Sequence, residues 1–209
     1  MIAMTYDFVL SNKDFLMKRF SIVAVIAASL ALAACAPLVT QNPGGSISPA
    51  NVVALDGNDR VMLNGADVVA YFAQNAYVQG TPTIKSEYQK ITFYFSSAAN
   101  KALFDTAPAK YLPLYGGFCA NGISYGIPWG GDADTWRIFD GKLHIFGGAQ
   151  SRDAFLLDVT QNRQLAEKYW NEEVNGSNAF VQRSKRLMFK VPHYRSDADV
   201  AAEIAKTRK

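Results

Sequence analysis

Two thiols and two imidazoles, Cys35, Cys119, His144 and His193, are the strongest soft-metal and proton-transfer groups in this chain of 209 residues. Cys119 sits in KYLPLYGGFCANGISYG, one residue beyond the pair Gly116-Gly117, which permits close backbone approach or an unusual dihedral. A thiolate suits a soft ion such as Cu(I), His144 would add an imidazole, and Met62 or Met188 a thioether. Nothing in their spacing resembles the two closely spaced ligand pairs of a structural metal site. Tyr111, Tyr115 and Tyr125 surround the glycines and are candidates to line a pocket, although aromatics at such spacing are more commonly core. Against each chemical reading stands a plain one. Free cysteine packs as a small hydrophobe, His144 is a strand residue, and His193 in VPHYR reads as terminal and solvated. A lone exposed thiol can also be oxidised or form mixed disulfides, but no C-x-x-C supplies a resolving partner. H-E-x-x-H, a P-loop and G-x-G-x-x-G are absent and G-x-S-x-G occurs once, at Gly122-Ile123-Ser124-Tyr125-Gly126; a non-catalytic protein is expected.

The elements that must hold these residues are legible in part. TWRIFDGKLHIF (135–146) is two strands about an Asp140-Gly141 turn, which pairs Ile138 with Leu143 and Trp136 with Ile145 on a core-facing side. Arg137 and His144 then pair on the opposite face. VMLNGADVVAYF (61–72) reads as a strand, a tight hairpin turn at Asn64-Gly65 and a second apolar run. TIKSEYQKITFYF (83–95) alternates enough to put Phe93 and Phe95 on one face, and Ser96-Ser97 suits a helix N-cap ahead of a short helix over 98–106. Residues 151–175 carry an apolar stripe of Leu165, Ala166, Tyr169, Trp170 and Val174 at helical spacing, ended by Gly176. Residues 180–189 predict a further helix bearing Arg183, Lys185 and Arg186, a basic run read as a solvated face. Strands and helices without a βαβ repeat predict an α+β fold: a small, mainly antiparallel sheet with packed helices.

The front of the chain carries a different signal. From Met17, the expected true start, MKRFSIVAVIAASLALAAC has a basic opening, then an apolar run from Phe20 to Ala34 that is shorter than the roughly 20 residues of a spanning helix. Leu32-Ala33-Ala34-Cys35 resembles the lipobox of bacterial lipoproteins. That resemblance implies cleavage before Cys35, acylation of Cys35 with fatty chains of the palmitate kind, and a membrane anchor facing the periplasm. Ala36, where an aspartate would retain a lipoprotein at the inner membrane, points to the outer membrane.

The mature chain would carry 18 basic and 16 acidic residues, a net charge of +2, which is not a nucleic-acid balance. With Cys35 acylated no intrachain disulfide is possible, so packing must hold the fold. Composition divides the chain into a signal region (1–34), a lipid-anchored spacer rich in Gly, Pro, Ser and Asn (35–58), one globular domain (59–195) and a polar tail (196–209).

Taken together, LNGADVVAYF, FYFSSAANKALFDTAPAKYLPLYGGFCA and TWRIFDGKLHIF resemble the extended YHS-domain proteins of bacterial envelopes, over roughly residues 60–146. YHS domains elsewhere accompany copper-transporting ATPases and metal-dependent oxygenases, so the resemblance implies a metal-handling module, with a copper ion as the cofactor; Cys119 falls inside the resemblance, and by residue type Cys119 and His144 are the candidate ligands. The chain departs from the compact metal-associated forms, which carry additional cysteines, and it has Ala66 and His144 where relatives commonly have tyrosine. A closed multi-thiolate site is thereby excluded. Three functions follow as expectations: a non-catalytic metal-binding envelope module, a structural lipoprotein that holds an envelope protein partner without metal, and a thiol-reactive redox protein acting through Cys119.

Overall fold

A computed structural model describes residues 41–207 apart from residue 43; the expected start at Met17, the signal region and the lipidation site Cys35 lie outside the described residues. The fold is α+β, as the patterning predicts. β1 (Val52–Leu55) and β2 (Asn58–Met62) form an antiparallel hairpin about Asp56-Gly57, both at positive φ. β3 (Thr81–Tyr88) and β4 (Ile91–Phe95) form a second, about Gln89-Lys90. The two hairpins join through a parallel β2–β4 contact to give the order β1-β2-β4-β3. β5 (Asp132–Phe139) and β6 (Lys142–Phe146) make a separate two-stranded ribbon.

The ribbon has the expected register, with Ile138 opposite Leu143, Arg137 opposite His144 and Trp136 opposite Ile145. What differs is the environment of its far side. Leu143 and Ile145 face the core under the four-stranded sheet, which also contains Val69, Tyr71, Phe93, Phe95 and Phe104. Phe146 faces a second core with Tyr115, Phe118, Ile123, Phe155, Ala166 and Val174. β6 is thus a central wall buried on both sides, and His144 with it.

Asn64-Gly65 does not make a hairpin. Leu63, Asn64 and Gly65 all take positive φ in a short 3-10 turn, and the apolar run beyond it becomes the helical turn α1 (Ala70–Ala73). The cause is Asp67, fully buried, whose Oδ1 accepts the N–H groups of Val69 and Ala70 at 3.0 and 3.3 Å. Its Oδ2 accepts from the Ser96 N–H (2.8 Å), the Ser96 hydroxyl (2.7 Å) and Asn100 Nδ2 (2.7 Å). A carboxylate at the front of a helix competes well with a hairpin turn for the same backbone donors.

α2 (Ala98–Thr106) begins where predicted, with Ser97 Oγ accepting the Asn100 N–H at 3.1 Å, and lays Phe104 onto Phe93 and Phe95 at 4.7 and 5.1 Å. α3 (Pro108–Tyr111) and α4 (Ala120–Ile123) are single turns. α5 (Ala149–Leu156) and α6 (Val159–Tyr169) cover the second core, α6 closing in a π-turn over Trp170–Val174 before Gly176 at positive φ. α7 is Ala179–Met188 and α8 is Asp197–Thr207.

Three segments depart from their sequence reading. From residue 41 onward the expected spacer is packed as a strap and then as β1. Asn42 is buried and donates to the carbonyls of Ile47 (3.1 Å) and Gln89 (2.7 Å), and Ala50 and Val52 enter the first core. Asn51 donates from its side chain to Gly117 O and Gly131 O, both at 3.0 Å, and from its backbone to Gly116 O at 2.8 Å. Asparagine amides here satisfy backbone carbonyls that a polar linker would leave to water. The polar tail is the helix α8, with Val200 and Ile204 packed on Ala154. The basic run of α7 is not a free face: Lys185 and Arg186 both pair with Glu173, and Arg183 donates to Pro128 O at 2.7 Å.

A chain begun at Asp59, at the compositional boundary, is therefore expected to lose cooperative thermal unfolding, while one begun at Val39 keeps it; equal melting curves by circular dichroism would show that the strap is dispensable. Asp67→Asn puts an amide into a pocket built from donors and is expected to cost about 2–4 kcal/mol in urea unfolding. A cost under about 0.5 kcal/mol, typical of surface substitutions, would remove Asp67 from its structural role.

Candidate functional site

Cys119 is placed by the chain on either side of it. Before it, Tyr115, Gly116 and Gly117 take positive φ, turning the chain so that it bridges β6 at Pro113–Leu143 and Cys119–Ile145. The glycines meet the expectation of close approach. A Cβ on Gly116 would stand 2.4 Å from Pro49 O, and one on Gly117 would press on Leu63 and Met62, so the pair admits the strap and the first core and no ligand. After it, the Cys119 carbonyl accepts from Ile123 to open α4, and its N–H donates to Trp129 O at 3.0 Å.

The Cys119 side chain is buried, yet it forms the floor of a cavity of about 260 Å³. Its Sγ accepts the Gly122 N–H at 3.4 Å and lies 3.0 Å from Ser151 Oγ. The walls come from three parts of the chain: Asn121, Tyr125 and Trp129 from α4 and the loop after it, Gln150 and Ser151 from α5, and Tyr194 and Arg195 from the segment before α8. Arg195 is ion-paired with Glu203. The cavity is slightly below the roughly 300 Å³ at which sites for drug-sized molecules begin, so it suits an ion or a small polar molecule.

His144 lies elsewhere. Its ring packs against Phe139 (5.0 Å), Tyr115 (6.0 Å) and Phe155 (6.1 Å). Nδ1 is 3.0 Å from Lys142 O, which can only accept, so Nδ1 carries the proton, and Nε2 is a buried lone pair without a partner among the described residues. Burial, assisted by Arg163 and opposed by the Lys142 carbonyl, lowers its pKa to about 4. It borders a second, open cavity of about 700 Å³ with Tyr115, Arg163, Gln164 and Glu167. The two cavities share no residue, so Cys119 and His144 are not brought together as a ligand pair.

The remaining candidates disperse similarly. Tyr115 borders the His144 cavity, its hydroxyl pKa raised by burial, and Tyr125 borders the Cys119 cavity. Tyr111 packs edge-on to Phe72 at 5.5 Å within the first core. Met62 is buried beside Gly117, and Met188 is exposed on α7. His193 is docked and half-buried: Nε2 is 2.9 Å from Ser124 O, and the ring stacks on Tyr125 and Tyr169. Among the described residues no three His, Cys, Asp or Glu side chains converge as a metal would require. Ser151, Tyr194 and Arg195 were not readable as site residues, because their meeting with Cys119 depends on the docking of α5 and α8.

The fold and site together define an α+β protein with a thiol on the floor of a small polar cavity. Comparison with protein families, curated proteins and solved structures found no match.

His144 yields a pH prediction. Its pKa is about 4 folded against 6.5 unfolded, so between these values the unfolded state binds more protons. Stability is full above pH 6.5 and falls by about 3 kcal/mol as the pH drops to 4, at about 1.4 kcal/mol per unit. His144→Phe should remove that part of the slope in urea unfolding; parallel curves for the two proteins would show that the folded state does not lower the His144 pKa.

Proposed function

We propose that this chain is a lipid-anchored protein of the bacterial envelope, of the YHS type, whose domain is a non-catalytic binding module with the Cys119 cavity as its site. The observation that supports this is the placement of the sulfur, which stands at the base of a walled cavity with Gly122 N–H and Ser151 Oγ beside it. Ligand chemistry follows from the donor set. The thiol favours a soft monovalent ion, and copper(I) is the metal of choice, held by Cys119 with no contribution from His144. Membrane attachment is through acyl chains on Cys35, more than one of which gives a firm anchor. Outer-membrane sorting follows the residue after Cys35, Ala36.

An anaerobic Cu(I) titration against a competing chelator, on the wild-type chain and Cys119→Ser, tests the site. One-to-one binding lost in Cys119→Ser and kept in His144→Phe is the expected result. Equal behaviour of wild type and Cys119→Ser would exclude the metal reading and leave the structural, partner-holding one.

A further inference from the structure

α7 has an apolar face that nothing among the described residues covers. Phe180, Val181, Leu187 and Met188 are 56, 61, 45 and 75% exposed, with Phe189 just beyond at 64%. At 100° per residue the first four fall within one stripe about 120° wide, shared only with Ser184. Arg183 and Lys185 flank the stripe on its two sides, and the helix carries no acidic residue. Beside it lies Trp129, 40% exposed, with the Arg183 guanidinium 5.0 Å from its ring centre. Among the described residues the other large exposed apolar side chains, Val53, Tyr77, Leu103 and Leu156, lie on four separate elements or loops and form no such stripe. Contiguous apolar surface of this kind marks a contact site.

The position of the chain's entry into the domain selects the occupant. Because the expected spacer is packed from residue 41 onward, with Arg60 Nε donating to Gln41 O at 3.2 Å, the tether from Cys35 is the stretch 35–41 alone, a reach of about 20 Å at full extension. The entry point adjoins the start of α7: Asn42 N–H donates to Ser48 Oγ at 3.3 Å, and Ser48 O accepts the Gly176 N–H at 2.7 Å, just ahead of Ala179. A tether leaving at Gln41 thus holds this end of α7 within a short distance of whatever Cys35 is attached to. An exposed apolar stripe beside an indole is the composition of a helix face that lies in a bilayer interface, and Arg183 and Lys185, held by Pro128 O and Glu173, border it.

We infer that the exposed face of α7 docks on the membrane surface, its apolar stripe at the headgroup boundary. The inference rests on the lipid-anchored reading above. It gives the domain one orientation on the bilayer in place of free rotation on its tether, and it puts Trp129, which is also a wall of the Cys119 cavity, beside the bilayer.

The test uses the full chain, processed in cells and reconstituted into phosphatidylcholine vesicles containing phosphatidylglycerol, with the indole introduced by Met188→Trp as the reporter and wild type as the background. The mass of the Cys35 peptide reports acylation separately. The expected result is blue-shifted reporter emission that is quenched by brominated phospholipid, and quenching that is lost when Phe180→Glu and Leu187→Glu are added. An acylated, vesicle-bound chain whose reporter is not quenched overturns the docking while leaving the anchor intact. Blue-shifted but unquenched emission overturns it in favour of a second copy or a protein partner on α7. Quenching without acylation supports the docking and overturns the anchor, and the absence of both overturns both.

Discussion

A carboxylate shut away from water must find donors, and the arrangement of the first core follows from where Asp67 finds its five. Two come from the front of α1 and three from Ser96 and Asn100 at the front of α2, so one side chain ties the exit of β4 to the start of two helical segments. Hydrogen bonds to a carboxylate are among the stronger ones in proteins, and their loss strands several buried donors at once. Phe104 is carried into place by α2, and Val68, Val69 and Tyr71 by the segment Asp67 organises, so the aromatic packing over β4 depends on this polar joint.

β6 passes the order of that core to the second one. Its alternation sends Leu143 and Ile145 to one side and His144 and Phe146 to the other, while its backbone bridges the chain just before α4 and so sets the height of Cys119. The site therefore belongs to neither core alone. Its floor hangs from β6, its nearest hydroxyl comes from α5, and its far wall from the residues before α8.

The parts legible in sequence are those in which a local rule has no competitor. The Asp140-Gly141 turn and a period of two give the β5–β6 register, and Ser97 gives the start of α2. Asn64-Gly65 has a competitor, since Asp67 two residues later claims the same stretch for a helical turn. The strap looks like a linker because its anchoring is done by Asn42 and Asn51, residues whose composition signals solvent. VPHYR looks terminal because the rings that hold His193, Tyr125 and Tyr169, lie far from it in sequence. For the same reason Cys119 can be singled out from its surroundings in the chain, while Ser151 and Arg195 cannot.

The strap has a mechanical consequence. A pull on the chain ahead of Asn42 does not arrive first at the edge strand β1. It is taken up by the Asn42 amide on the β3–β4 turn, then by Ser48 against Gly176, then by Asn51 against Gly116, Gly117 and Gly131. Each clamp belongs to a different stretch of the fold, so tension is shared among the β3–β4 turn, the segment ahead of α7 and the chain around Gly116, Gly117 and Gly131 before it reaches β1.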